Sequence, residues 1–166
     1  MIKKVLCILI SVFILSGCTG NKEELKHPVP FFYPETVQED GYITNVIGFE
    51  NREGTAFGDD LKLLLSAYLL GPDDPALYFP LPAGTELIEV SVLDEKVTIV
   101  FNESFAQLSS LDRTIACVAI SRTCMAFTGA DYVEIFAENT LFDGVESILI
   151  SSENLLTNDN TPIKEP

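Results

Sequence analysis

The chain contains no tryptophan, a single histidine, and only ten lysines and arginines against 25 aspartates and glutamates. Each shortage narrows the chemistry open to it. The lone histidine, His27, stands beside Pro28, Pro30 and Pro34, and a base on such a segment lacks the fixed hydrogen-bond partners that a nucleophilic triad requires. The formal charge of −15 over 166 residues leaves no basic patches of the kind on which nucleic-acid or anionic-lipid binding depends. Without tryptophan, ring stacking on a sugar would fall to Tyr68, Tyr78 and Phe79. The apolar run from Val5 to Leu15 falls short of the roughly 18 to 20 residues that carry a helix across a bilayer, so an uncleaved membrane span is disfavoured.

That run nevertheless has a role. Lys3 and Lys4 precede it and Leu15-Ser16-Gly17-Cys18 close it, the pattern of an export signal. The last four residues resemble the lipobox of bacterial lipoproteins, in which the cysteine is acylated and becomes the new N-terminus. The resemblance implies a lipid on Cys18 that holds the chain to the membrane at its extracytoplasmic face. At about 0.8 kcal/mol per buried methylene, a two-chain anchor is stable. Loss of Lys3 and Lys4 with the signal takes the formal charge from −15 to −17. The expected organisation is a signal peptide over 1–17, the lipidated cysteine and a proline-containing tether over 18–40, one folded domain over 41–157 and a polar tail over 158–166. In the tether, Phe31, Phe32 and Tyr33 are apolar for a spacer. Docking on the domain's own surface explains them better than contact with a partner.

Within the domain, Tyr42 to Phe49 has strand composition, with Ile43, Ile47 and Phe49 on one face. Asp59 and Asp60 open a helix in which Leu61, Leu64, Leu65, Tyr68 and Leu69 repeat at helical spacing, and Gly71-Pro72 ends it. After a loop from Pro72 to Gly84, two alternating runs, Leu87 to Leu93 and Val97 to Phe101, form a hairpin across Asp94, Glu95 and Lys96. Ile88, Val90, Val92, Val97, Ile99 and Phe101 are its expected core face. Ser109 or Ser110 caps a second helix, with Asp112 in its first turn, that runs to about Phe127 and stops at Gly129. Tyr132 to Ala137, with Val133 and Ile135 inward, and Ile148 to Ile150 complete the strands. The order β-α-β-β-α-β predicts an α+β domain with two helices packed on one face of a mostly antiparallel sheet.

The stretch Leu69-Leu70-Gly71-Pro72, then Pro80-Leu81-Pro82-Ala83-Gly84-Thr85-Glu86-Leu87, Val90-Ser91-Val92, Val97-Thr98-Ile99, Phe101 and Phe105 resembles the GerMN domain of sporulation and germination lipoproteins. The helix exit Phe127-Thr128-Gly129-Ala130 and Val133-Glu134-Ile135 extend the resemblance, which covers roughly residues 42 to 157. Departures are Glu95, where the family usually has glycine, Thr128, where it often has proline, and Val100 at a commonly polar position. The resemblance implies a compact domain similar to ring-building motifs of envelope complexes, an adaptor or assembly factor with a protein partner in the envelope. It carries no catalytic residues, and neither cofactor nor metal is implied.

Chemistry would otherwise have to come from the carboxylate pairs Asp59-Asp60, Asp73-Asp74, Asp94-Glu95 and Glu39-Asp40. A glycosidase needs two carboxyls about 5 to 10 Å apart across a cleft, and adjacent residues at helix starts and turns have simpler uses. Asp143, Glu146 and Asp159 lack the spacing of a calcium loop. Cys117 and Cys124 lie on one predicted helix about 10 Å apart, beyond the reach of a disulfide, and are expected as reduced, buried side chains. A protein-binding domain is therefore expected ahead of a wall-glycan or cation-binding module, with a carboxylate-dependent wall hydrolase third. For the anchor, Cys18→Ala should abolish incorporation of radiolabelled fatty acid and leave full-length precursor; continued labelling would refute the assignment.

Overall fold

Alternation along two short segments builds the centre of the domain. Val97, Ile99 and Phe101 lie in register beside Val133, Ile135 and Ala137, and all but the nearly buried Ala137 are fully enclosed. The computed structural model describes residues 25–39 and 42–155. Its elements are β1 (Pro28–Glu39), β2 (Tyr42–Glu53), α1 (Leu61–Tyr68), β3 (Leu87–Leu93), β4 (Lys96–Phe101), α2 (Ser110–Thr128), β5 (Tyr132–Ala137) and β6 (Ser147–Ser151). Strands β3-β4-β5-β6 form one sheet in that order, and β1 and β2 a separate two-stranded one. All pairs are antiparallel except β4 with β5, the pair that needs a crossover, which α2 supplies. The fold is α+β, mostly antiparallel, with two helices against the inner face of the larger sheet.

Local chemistry sets the helix ends. Asp60 accepts from the N–H groups of Lys62 and Leu63 at the start of α1, and Ser109 accepts from Asp112 N at the start of α2. Gly129, with φ of 73°, ends α2 and donates its N–H to Met125 O, the left-handed cap that glycine tolerates best. Ala116, Cys117, Ala119, Ile120, Ser121, Thr123 and Cys124 are all buried. At 100° per residue they cover more than half the circumference, so α2 is enclosed by both sheets rather than resting on one. Small side chains permit that close approach.

The N-terminal boundary differs from expectation. Pro28–Glu39, expected within the tether, is a strand paired along its length with β2, and Phe31 and Tyr33 are fully buried core residues. The prolines permit this because of their parity. Phe32 directs its N–H away from β2, to Thr123 Oγ1 of α2 at 2.9 Å; Pro28, Pro30 and Pro34 share its parity, so the donors they lack are on the side that does not pair. The outward carbonyl of Pro34 accepts from Tyr78 N. Residues 1–24, Asp40, Gly41 and the tail over 158–166 lie outside the described residues.

A second difference concerns β2. Ile47 and Phe49 do share a face, but Phe49 is 56% exposed and its ring meets Phe32 at 5.7 Å. The side chain of Ile43 lies outside the described residues. Glu50 and Arg52 take the opposite face, opposite Phe31 and Val29 of β1. The Arg52 guanidinium lies 4.5 Å from the centre of the Phe31 ring. It donates to Ala67 O at 2.9 Å, Gly71 O at 2.6 Å and Glu50 Oε1 at 2.6 Å. Glu50 in turn accepts from Asp73 N at 2.9 Å and Asp74 N at 2.8 Å. One ion pair thus closes the C-terminal end of α1 and fixes the loop behind it.

In the larger sheet, Val90 packs against the core as expected; Val92 shares the face of Val97 but stays half exposed, and a bulge between Leu87 and Glu89 leaves Ile88 44% exposed and sets Leu87 beside Phe101. The hairpin turn has two residues, Asp94 and Glu95, and Lys96 belongs to β4. Asp94, with φ of 53°, takes the left-handed conformation, which frees the next position from needing glycine. Arg52→Leu should destabilise the domain by about 3 kcal/mol, because it leaves the Glu50 carboxylate without its counter-ion and Gly71 O without the guanidinium donor. Urea unfolding checks this, and a change under 1 kcal/mol would show that the network is dispensable.

Candidate functional site

The carboxylate pairs singled out as acid-base candidates are dispersed and structurally employed. Asp60 caps α1; Asp74 Oδ1 accepts from Ala76 N; Asp94 and Glu95 make the hairpin turn; Glu39 ends β1 and its neighbour Asp40 is outside the described residues. His27 is exposed, and its carbonyl accepts from Gly54 N. Asp143 pairs with the nearly buried Arg113, whose guanidinium also lies 5.2 Å from the Phe142 ring centre. This holds the loop after β5 to α2. Among the described residues no three His, Cys, Asp or Glu side chains are grouped to hold a metal ion. Cys18 and Asp159 lie outside the described residues.

Three clefts stand out among the described residues. Tyr78 and Phe79, with Pro80, Pro82, Leu108 and Ile115, line a cleft of about 240 Å³, in which burial and the nearby Asp112 charge raise the Tyr78 hydroxyl above its ordinary pKa. Tyr68, the third stacking candidate, is fully buried, lies 4.5 Å from Tyr33 ring to ring and is unavailable to a ligand. A second cleft, about 370 Å³, has Val100 and Phe136 with Glu138 and Glu146 among its lining residues. The third, about 540 Å³, lies between the start of α1 and β3, lined by Asp59, Asp60, Leu61, Lys62, Val90, Ser91 and Val92. On the outer sheet face, Lys96 binds Glu134 at 2.8 Å and Ser147 donates to it, which holds that carboxyl below its usual range.

This geometry defines a small α+β domain with shallow surfaces, whose Arg52–Glu50 and Arg113–Asp143 pairs are spent on its own architecture. The family model described as Germane, sporulation and spore germination, matches residues 23–143, and the chain belongs to that family. Among solved structures, the tandem GerMN domains of the sporulation protein GerM from Bacillus subtilis are 17% identical, with a TM-score of 0.53, over 78% of this chain and 47% of that one. The two share a fold, and this chain spans about half the length of that tandem structure. A Clostridium perfringens chain assigned as a lipoprotein is 15% identical over 78% of this chain and 91% of its own, with a TM-score of 0.49. No curated protein matches the chain. The family match begins at residue 23, which agrees with a domain that includes β1.

Cys117 and Cys124 are free and buried, and burial pushes both thiols up to about 12. A raised thiol pKa favours the neutral form in the folded state. Its contribution to stability is complete below the ordinary value of 9.0 and is lost as pH rises from there toward about 12. Both thiols should resist a maleimide reagent at pH 8 until denaturant is added, and the unfolding midpoint should fall above pH 9. Rapid labelling of either thiol in folded protein would contradict their burial.

Proposed function

We infer that the protein is a lipoprotein, held at the extracytoplasmic face of the membrane by lipid on Cys18, whose GerMN domain binds a protein partner in the cell envelope. Sporulation, germination or the assembly of an envelope complex is the setting. The observation that carries this is the family match over residues 23–143. Three further features support it: the signal and Leu15-Ser16-Gly17-Cys18 at the N-terminus, carboxylate pairs committed to caps and turns, and an acidic surface suited to steering a basic protein toward it. The domain works as a binder and carries out no catalysis. A wall-glycan module is the second reading, and the exposed Tyr78 beside Phe79 is the surface that favours it.

In living cells, crosslinking of the full chain should recover one or a few defined envelope proteins, and Cys18→Ala, which leaves the chain as unlipidated precursor, should lose them. Purified protein should neither sediment with wall glycan nor degrade it. Turnover of wall fragments that disappears when Asp59, Asp60, Asp73 and Asp74 become asparagine would replace the binding function with hydrolysis.

A further inference from the structure

The larger sheet has an open edge. β3 pairs with β4 on one side, and no described residue pairs with its other side. A two-residue turn closes the β3-β4 hairpin, so Leu93 and Lys96 make the hydrogen-bonded pair next to it. Alternation then points the N–H and C=O groups of Val90 and Val92 away from β4. Beside this edge runs the 540 Å³ groove, in which Leu61, Val90 and Val92 supply apolar side chains; Val92 is 50% exposed and Leu93 72%. Backbone donors and acceptors at the lip of an apolar groove are the two elements by which a sheet edge receives an extended segment, the first giving affinity and the second side-chain selection.

Charge decides the occupant. Glu86 just before β3, Glu89 within it and Asp94 and Glu95 in its turn are exposed, as are Asp59 and Asp60 at the facing helix start. Lys62 is the one basic residue lining the groove, and Lys96 is engaged with Glu134. A second copy of this chain would bring the same carboxylates against these, and like charges on paired strands repel. An incoming strand that alternates apolar with basic residues would instead place its apolar side chains over Leu61, Val90 and Val92. Its lysines or arginines would emerge on the outer face beside Glu89, which lies opposite Val100 there.

We propose that β3 is the docking edge for an extended, basic-apolar alternating segment of another protein, which adds as a fifth strand beside the α1 groove. This rests on the partner-binding function proposed above and names the surface and chemistry of that partner. The bulge at Leu87–Glu89 limits the addition to the stretch from Glu89 to Leu93.

The probe is an eight-residue peptide alternating valine and lysine, with a valine-glutamate peptide as its counterpart, titrated against the full chain in detergent micelles. Amide hydrogen exchange should show protection gained at Val90 and Val92 with the lysine peptide and none with the glutamate one. Val92→Pro, which removes an outward donor, should weaken binding at least tenfold. Should that variant fail to fold, Glu89→Lys combined with Asp59→Asn, both surface changes, should weaken it comparably. Absence of binding, protection elsewhere than β3, or concentration-dependent protection of β3 by the chain alone would each overturn the proposal, the last by making a second copy the occupant. In cells, a photocrosslinker at Ser91 should capture the envelope partner. Capture from other surfaces but not from Ser91 would defeat this edge and leave the partner-binding function standing, whereas capture from no surface would defeat both.

Discussion

The contact between Arg52 and Glu50 is where three parts of the chain are made into one. The guanidinium stacks on Phe31 from β1, belongs to β2 and terminates α1 through Ala67 O and Gly71 O; its carboxylate partner holds the backbone of Asp73 and Asp74. A pair so far removed from water gains little over two apolar side chains of the same shape. Its value is geometric. Carbonyls at and just beyond a helix end have acceptor capacity to spare, and a planar group with several N–H donors can serve two of them and a carboxylate together. The hairpin is thereby set at one angle against α1, and Tyr33 reaches Tyr68 O at 2.9 Å because of it.

A different device joins the hairpin to α2. A strand edge laid against a helix normally leaves N–H groups with no acceptor, since the helix carbonyls are already engaged. Here proline removes the donor at Pro28, Pro30 and Pro34, and the N–H that survives at Phe32 finds the hydroxyl of Thr123. The result is an edge that is closed by chemistry on one sheet, while the edge at β3 on the other sheet stays open.

The elements that could be read from the sequence are those whose signal is local. Helical spacing with Asp60 and Gly71 marked α1, alternation marked β3, β4 and β5, and Ser109 and Gly129 bounded α2. Where the decisive partner is distant, local pattern misleads. Three prolines within seven positions suggested a spacer, although their shared parity with Phe32 was visible and is compatible with a strand that pairs on one side only. The inner face of β2 is Gly48, Glu50 and Arg52, which no hydrophobic pattern would choose, because its acceptors are backbone carbonyls from residues 67 and 71 that have no sequence signature. Ile88 fell on the wrong side of a bulge that nothing nearby announces. Of the candidate site residues, Cys18 was legible as a motif, while the edge of β3 emerges only from the strand order.

The position at which β1 begins also bears on the reach of the anchor proposed at Cys18. Were the lipid on Cys18, as proposed, only residues 19 to 27 would separate the bilayer from a strand that starts at Pro28. At roughly 3.5 Å per residue that leash spans at most about 30 Å, against about 75 Å had the spacer run to residue 40. A domain on so short a leash would explore a thin layer next to the membrane, and its encounters would become a search in two dimensions among neighbours in that layer. Local concentration there would be set by the leash and by lateral diffusion more than by how much protein the cell makes. Partners seated deep in the wall would have to extend a segment inward to meet it.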